Sequence, residues 1–242
     1  TAEAGLGDKA NDICVSASPS SKWTNSFNGN KFYFRGNLTV SSGIYSGTTE
    51  FISYGTGTIS GGNYSVSYLM NDLTIAPTGT TTFGPSFFYN TGTLKYVSGN
   101  TVTTNSTLDL RGGLTTKLQT SGMTWNNITS TNTSTTTLLS DLYLSGTLTN
   151  FINPMQINGT GTSIYVGGGI TCNTIIYGTA PIILTGTGTW SGAGQLKNNT
   201  TINTTGTTSI VGTVYYNTGV FTYSAGTVNT AGSTLTLGGS ST

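Results

Sequence analysis

Asp141-Leu142-Tyr143-Leu144 is one of four copies of a single tetrad: a polar residue, a leucine, any residue, then an aliphatic one. The other copies are Asn37-Leu38-Thr39-Val40, Asp72-Leu73-Thr74-Ile75 and Thr107-Leu108-Asp109-Leu110. Their starts advance by 35, 35 and 34 residues, and a weaker copy, Thr174-Ile175-Ile176-Tyr177, follows 33 later. Within each copy the apolar residues fall on alternate positions, the mark of a short strand with one buried face. A second family sets an apolar strand ahead of a Thr-Gly-Thr-like turn, at 51–58, 87–93, 155–162 and 182–189. An antiparallel sandwich has no reason to hold a fixed period. A solenoid does, because each coil repeats one set of strands and turns. The spacing therefore predicts an all-β chain, a parallel β-helix (β-solenoid) over residues 36–242, with about 35 residues per coil. Six to eight coils at ~4.8 Å each would make a rod roughly 30–40 Å long.

Composition agrees. Of 242 residues, 52 are Thr, 27 Ser and 35 Gly, while only 15 are charged and none is His. Glu occurs only at Glu3 and Glu50, so helices lack the residues that fill their faces. Disorder is disfavoured, since it combines high net charge with few aromatics, and here the net charge is +1 and aromatics make up 10%. Stacked coils explain the missing charge. A column of like charges ~4.8 Å apart repels itself, whereas Thr, Ser and Asn ladders hydrogen-bond along the axis. Gly and Asn between the strands supply turns.

Charge also divides the chain. Residues 1–35 hold seven charged side chains and the remaining 207 hold eight. The first segment reads as an N-terminal leader or cap, rich in Trp23, Phe27, Phe32, Tyr33 and Phe34, that covers the open edge of the first coil. The chain starts at Thr1 without a charged-then-apolar signal segment and stops in mid-pattern, which fits a short tail or a piece of a longer chain equally.

Chemistry is thinly represented. Without imidazole there is no Ser-His-Asp triad and no His-containing zinc site. Glycoside hydrolysis needs two carboxylates ~5–9.5 Å apart, and the solenoid offers only Glu50, Asp72, Asp109 and Asp141, none of them a tight sequence pair. Asp72 and Asp141 read as turn residues capping their own backbone. No catalytic, cofactor-binding or metal-binding residues are assigned, and no cofactor is expected. Cys14 and Cys172, 158 positions apart, are expected to remain unbonded, with their coils roughly 19 Å apart along the axis. The candidate binding residues are aromatic. Trp23, Trp125 and Trp190 could serve as glycan platforms or interface anchors, with core packing as the competing role.

The segments 35–40, 123–129 and 137–149 resemble the repeats of β-helix virion proteins of bacteriophages and environmental viruses, such as tail fibres, head fibres and adhesin-like proteins. The resemblance spans about residues 30–242 and carries over no functional residue. It implies a non-enzymatic structural and adhesive module at a virion surface or another extracellular site. Such a module would assemble as a homo-oligomer with other virion proteins and touch host-surface glycans, without binding nucleic acid or inserting into membranes. A secreted bacterial adhesin is the alternative. A polysaccharide depolymerase and an ice-binding Thr ladder, built on stretches such as Thr185-Gly186-Thr187-Gly188-Thr189, are further readings. Irregular Thr spacing disfavours the last.

Overall fold

The computed structural model describes residues 9–10, 13–15, 23–24, 31–40, 44–62, 68–111, 115–131 and 133–238, with side chains from residue 31 onward except at 44–45. Every strand pairing within these residues is parallel, and they contain no helix. The chain is a parallel β-solenoid, as the alternation and repetition predict.

The rod has three walls. One turn runs along the first wall at Ser134–Leu138, along the second at Leu142–Leu144 and along the third at Thr147–Asn150. It then returns to the first at Met155–Gly159. The first wall is a twelve-stranded sheet ending at Thr234–Leu237. Some strands round a corner without stopping: Thr80–Tyr89 continues from the second wall onto the third, with its register shifting between Phe83 and Phe87.

The turn is shorter than the sequence period. Leu118 lies opposite Leu138, Ile128 opposite Leu148 and Leu73 opposite Leu94, so a turn takes about 20 residues in place of 35. The tetrads show why. Leu38–Val40 lies on the second wall, Leu73–Ile75 on the first, Thr107–Leu110 on the third and Leu142–Leu144 on the second again. Each step of about 35 residues crosses five strand-plus-corner units of about seven residues, whereas a turn contains three. The repeating unit is one side of the triangle. The three sides share one chemistry because all face the same core and solvent. The rod is correspondingly longer than expected, about 50 Å from Lys31–Phe34 to Thr234–Leu237 at ~4.8 Å per turn.

Inward residues stack in columns. On the third wall Leu108, Ile128, Leu148, Ile170, Trp190 and Ile210 follow one another turn by turn, all buried. Phe51, Leu73, Leu94, Leu118 and Leu138 do the same on the first. The period-two pattern puts two such columns on the second wall, Leu142–Ile164–Ile182 and Leu144–Val166–Leu184.

The corners are tied by side chains. Oδ1 of Asn37, Asp72, Asn127, Asp141 and Asn199 accepts the backbone N–H of Thr58, Thr93, Thr147, Ser163 and Val220 respectively, at 2.7–3.0 Å. Each bond joins one turn to the next. Asp72 and Asp141 thus cap the backbone of the following turn, not their own: in a solenoid the nearest unpaired N–H lies along the axis. Glycine has a stacking role as well as a turn role. A Cβ on Gly188 would lie 0.8 Å from the Gly168 carbonyl oxygen, and one on Gly168 would lie 2.6 Å from that of Gly146, so this corner closes only with hydrogen as the side chain.

Most of the segment 1–35 expected as a leader lies outside the described residues. Its described strands Lys9–Ala10, Ile13–Val15 and Trp23–Thr24 run parallel to Lys31–Phe34, Leu38–Val40 and Ile44–Ser46, one on each wall. Lys31–Phe34 itself is a strand of the first wall.

Candidate functional site

On the second wall the ladder is interrupted once in mid-rod. Among the described residues, Asn100–Val102 pairs with Thr80–Thr82 below it and with no strand above it. Thr124–Trp125 pairs with Tyr143–Leu144 above it and with no strand below it. A tight turn borders the break on each strand, after Asn100–Val102 in the lower and before Thr124–Trp125 in the upper. In the lower one Asn105 takes φ 62°, the single non-glycine positive φ among the described residues, and the Ser106 N–H and hydroxyl both donate to the Thr103 carbonyl. In the upper one the Met123 N–H donates to the Thr120 carbonyl and Gly122 takes φ 96°. Backbone groups turned onto their own loops are lost to the ladder.

The result is a cleft of about 560 Å³ lined by residues 99–104 and 122–124. One side-chain bond spans it, from the Thr103 hydroxyl to the Thr124 carbonyl at 2.5 Å. Met123 is buried, and behind the cleft the rings of Phe83 and Trp125 meet at 4.6 Å. The core is therefore sealed and the cleft is a surface feature. Tyr96 closes one flank: its hydroxyl donates to the Gly99 carbonyl, and a Cβ on Gly122 would lie 2.8 Å from its ring. No lining side chain is charged.

Directly along the axis from Thr124, at the same outward position, come Tyr143 and Tyr165. Their rings stack at 4.8 Å and 9°, and Tyr143 is 37% exposed. The partial burial of its phenol, followed by the neighbouring Asp141 carboxylate, raises its pKa above the ordinary value. The corner bond from Ser163 N–H to Asp141 anchors the strand that carries Tyr165.

The tryptophans fall elsewhere. Trp125 and Trp190 are fully buried, Trp190 within the third wall's inward column and Trp125 beside Leu144. As surface platforms both are corrected: they hold inward positions, and Trp190 packs on Tyr216 and Phe221. The Trp23 side chain lies outside the described residues. Among the described residues the exposed aromatics are Phe151 and the tyrosines Tyr143, Tyr215 and Tyr223, and the tetrad pattern carries the signal for Tyr143 and its neighbour Tyr165. In Leu142-Tyr143-Leu144 and Ile164-Tyr165-Val166 the tyrosine sits between two inward aliphatics and must point outward.

The solenoid's carboxylates are all tied to the turn above. Glu50 accepts the Thr74 hydroxyl at 2.6 Å and pairs with Lys31 at 3.4 Å, and Asp72 and Asp141 hold corners. Asp109 accepts the Thr131 hydroxyl at 3.1 Å. Burial pushes the Asp109 carboxyl up to about 6, against the opposing pull of Thr131, Thr129 and Arg111. Arg111 stacks its guanidinium over Tyr68 at 5.0 Å. Among the described residues no group of three or more His, Cys, Asp or Glu could hold a metal ion. Cys172 is a free, buried thiol, and its pKa is raised by that burial to about 11. Its turn lies roughly seven turns, or ~34 Å, from the strand containing Cys14, farther than the longer sequence period implies. Thr185–Thr189 rounds the corner from Ile182–Leu184 to Gly188–Ser191, so its threonines do not form one flat ladder.

No family model matches the chain, and no curated protein and no solved structure matches it. The class that can be stated is that of the fold, a three-walled parallel β-solenoid with an interrupted second wall.

Proposed function

We propose that the chain is a non-enzymatic structural and adhesive module of a phage virion surface, a fibre or decoration element that self-associates and touches host-surface glycans. The observation that carries this reading is the outer surface. Many of its polar side chains bond one turn to the next, its carboxylates are tied one by one, and what remains exposed is chiefly hydroxyl, amide and scattered apolar side chains, with Lys31, Arg35 and Lys117 as the exposed cations among the described residues. Such a surface suits a stiff spacer that makes weak, repeated, salt-insensitive contacts. Exposed Phe151, Ile152 and Val211, with little charge to keep copies apart, favour association of rods.

Immunogold labelling with antibodies against the purified chain tests the reading. Gold on phage particles in a lysate is the expected result. Gold confined to bacterial envelopes would replace it with the secreted-adhesin reading. Release of reducing ends from a bacterial polysaccharide by the purified chain would overturn the non-enzymatic part.

A further inference from the structure

We propose that the cleft between residues 99–104 and 122–124, extended along the second wall by Tyr143 and Tyr165, is the binding site for a neutral oligosaccharide. The inference deepens the adhesive reading above and rests on it. The lining chemistry comes first. The Asn100 amide and the hydroxyls of Thr101, Thr104 and Thr124 offer donors and acceptors together, and the Thr103 hydroxyl, whose proton goes to the Thr124 carbonyl, offers an acceptor; sugar hydroxyls are both at once. No lining side chain carries a charge to balance an anionic ligand.

The backbone adds to this. On the upper side of Asn100–Val102 and the lower side of Thr124–Trp125 the ladder partners are missing, so the main chain there borders the cleft instead of a neighbouring strand, with the Thr124 carbonyl bridged by the Thr103 hydroxyl. The volume of about 560 Å³ falls within the ~300–1,000 Å³ usual for ligand sites. The tyrosine pair then continues the outward column one and two turns further on. It offers phenol hydroxyls and the outer edges of the stacked rings at the steps where a linear ligand lying along the axis would next make contact.

An extended peptide inserted as a strand does not fit. Across the same two turns the first wall stays paired from Gly92–Lys95 to Thr116–Gln119, and the third from Thr107–Asp109 to Asn127–Thr129. These walls hold the turns one strand spacing apart, ~4.8 Å, and an inserted strand needs twice that.

The test uses the full chain and a panel of fluorescently labelled oligosaccharides: neutral hexose and N-acetylhexosamine oligomers, with sialylated and sulphated ones for comparison. Binding is followed by fluorescence polarisation and by backbone amide shifts. The expected result is binding of at least one neutral oligomer, unchanged in affinity between about 0.05 and 0.5 M salt. Shifts should concentrate at residues 99–104, 122–124, 143 and 165. Asn100→Ala and Tyr143→Ala, both at the surface, should each weaken binding about tenfold while melting like the parent. Thr171→Val on the third wall should bind like the parent. Attachment of the intact chain to host cells, measured in parallel, separates the two levels. Cell attachment that survives unchanged in Asn100→Ala/Tyr143→Ala overturns the site and leaves the adhesive reading standing. Absence of attachment by the parent overturns both. Preference for the sulphated or sialylated oligomers, or shifts confined to another wall, overturns the site.

Discussion

Deleting Ile170–Thr189 should leave a folded protein one turn shorter. The excision joins Gly169 to Trp190, and register survives on all three walls because Ile170 already lies opposite Trp190. Leu148 then stacks under Trp190, Met155–Gly159 under Gln195–Leu196, and Ile164–Val166 under the start of Thr200–Ile210. Solenoid stability is close to a sum over repeats and their interfaces. The loss of 20 residues should therefore cost about 1–3 kcal/mol at ordinary per-residue stabilities. The denaturant m-value should fall by roughly 8%, in proportion to the surface exposed on unfolding, and the rod should shorten by ~4.8 Å. The comparison deletion, Asp141–Asn173, removes one sequence-repeat step from tetrad to tetrad. It feeds Ile175–Tyr177, a first-wall strand, into the place of Leu142–Leu144 on the second wall. Every following strand then arrives one side out of phase, with the wrong corner lengths, and a cooperative transition should be lost. Urea titration by circular dichroism, with small-angle scattering for length, reads both. If the Asp141–Asn173 deletion folds as cooperatively as the 20-residue one, the three-sided assignment of the turn is wrong.

Trp190→Ala removes a fully buried ring from the third wall's inward column and its contacts with Tyr216 and Phe221. It should destabilise by about 3–5 kcal/mol in denaturant titration and leave oligosaccharide affinity unchanged in any fraction that folds. Asp72→Ala deletes the acceptor for Thr93 N–H and should cost about 1 kcal/mol, while Asp72→Asn, which keeps an Oδ1, should cost less than half of that in the same titration. Asp109, with a folded pKa near 6 against an unfolded 3.8, holds its proton more tightly when folded. Its contribution to stability is thus present below pH ~4, is lost as pH rises through 6, and is flat above. Melting temperature should fall over that window in the parent relative to Asp109→Asn, by a margin equivalent to roughly 2–3 kcal/mol. Light scattering at micromolar concentration should show a mass above that of one 25.0 kDa chain, and a stable monomer would contradict self-association.

The class of fold was legible because inward columns impose alternation on every strand, and alternation survives any error in counting turns. The length of the turn was not. Three sides of nearly equal length and shared chemistry make a step of five sides look as regular as a step of three. Nothing local in Asp72-Leu73-Thr74-Ile75 distinguishes a first-wall strand from the second-wall strand Leu38–Val40. For the tryptophans the sequence leaves surface platform and core packing side by side, and the structure takes the second at Trp125 and Trp190: a rod this narrow needs its bulkiest residues to fill the interior, and Trp125 meets Phe83 across two turns of core. The cleft arises from the absence of a pairing, and Thr103-Thr104-Asn105-Ser106 reads like every other polar corner in the chain. Only the unusual φ of Asn105 marks it, and sequence alone does not reveal that.

The scarcity of charge and the placement of the few charges present follow from one geometric fact. Each side chain on this rod has a counterpart ~4.8 Å above and below it, so any residue type is judged by how it stacks. A carboxylate over a carboxylate repels, but a carboxylate under a backbone N–H or a hydroxyl is stabilised, and that is where Glu50, Asp72, Asp109 and Asp141 are found. Asn fills the same role at Asn37, Asn127 and Asn199 without the long-range field. Once acids and amides are committed to joining turns, the surface left is poor in charge, with Arg35 and Lys117 among its few exposed cations. Recognition on such a surface must rest on shape, hydrogen-bonding hydroxyls and aromatic rings. On the second wall those three coincide at one place, where the ladder breaks beside a tyrosine pair.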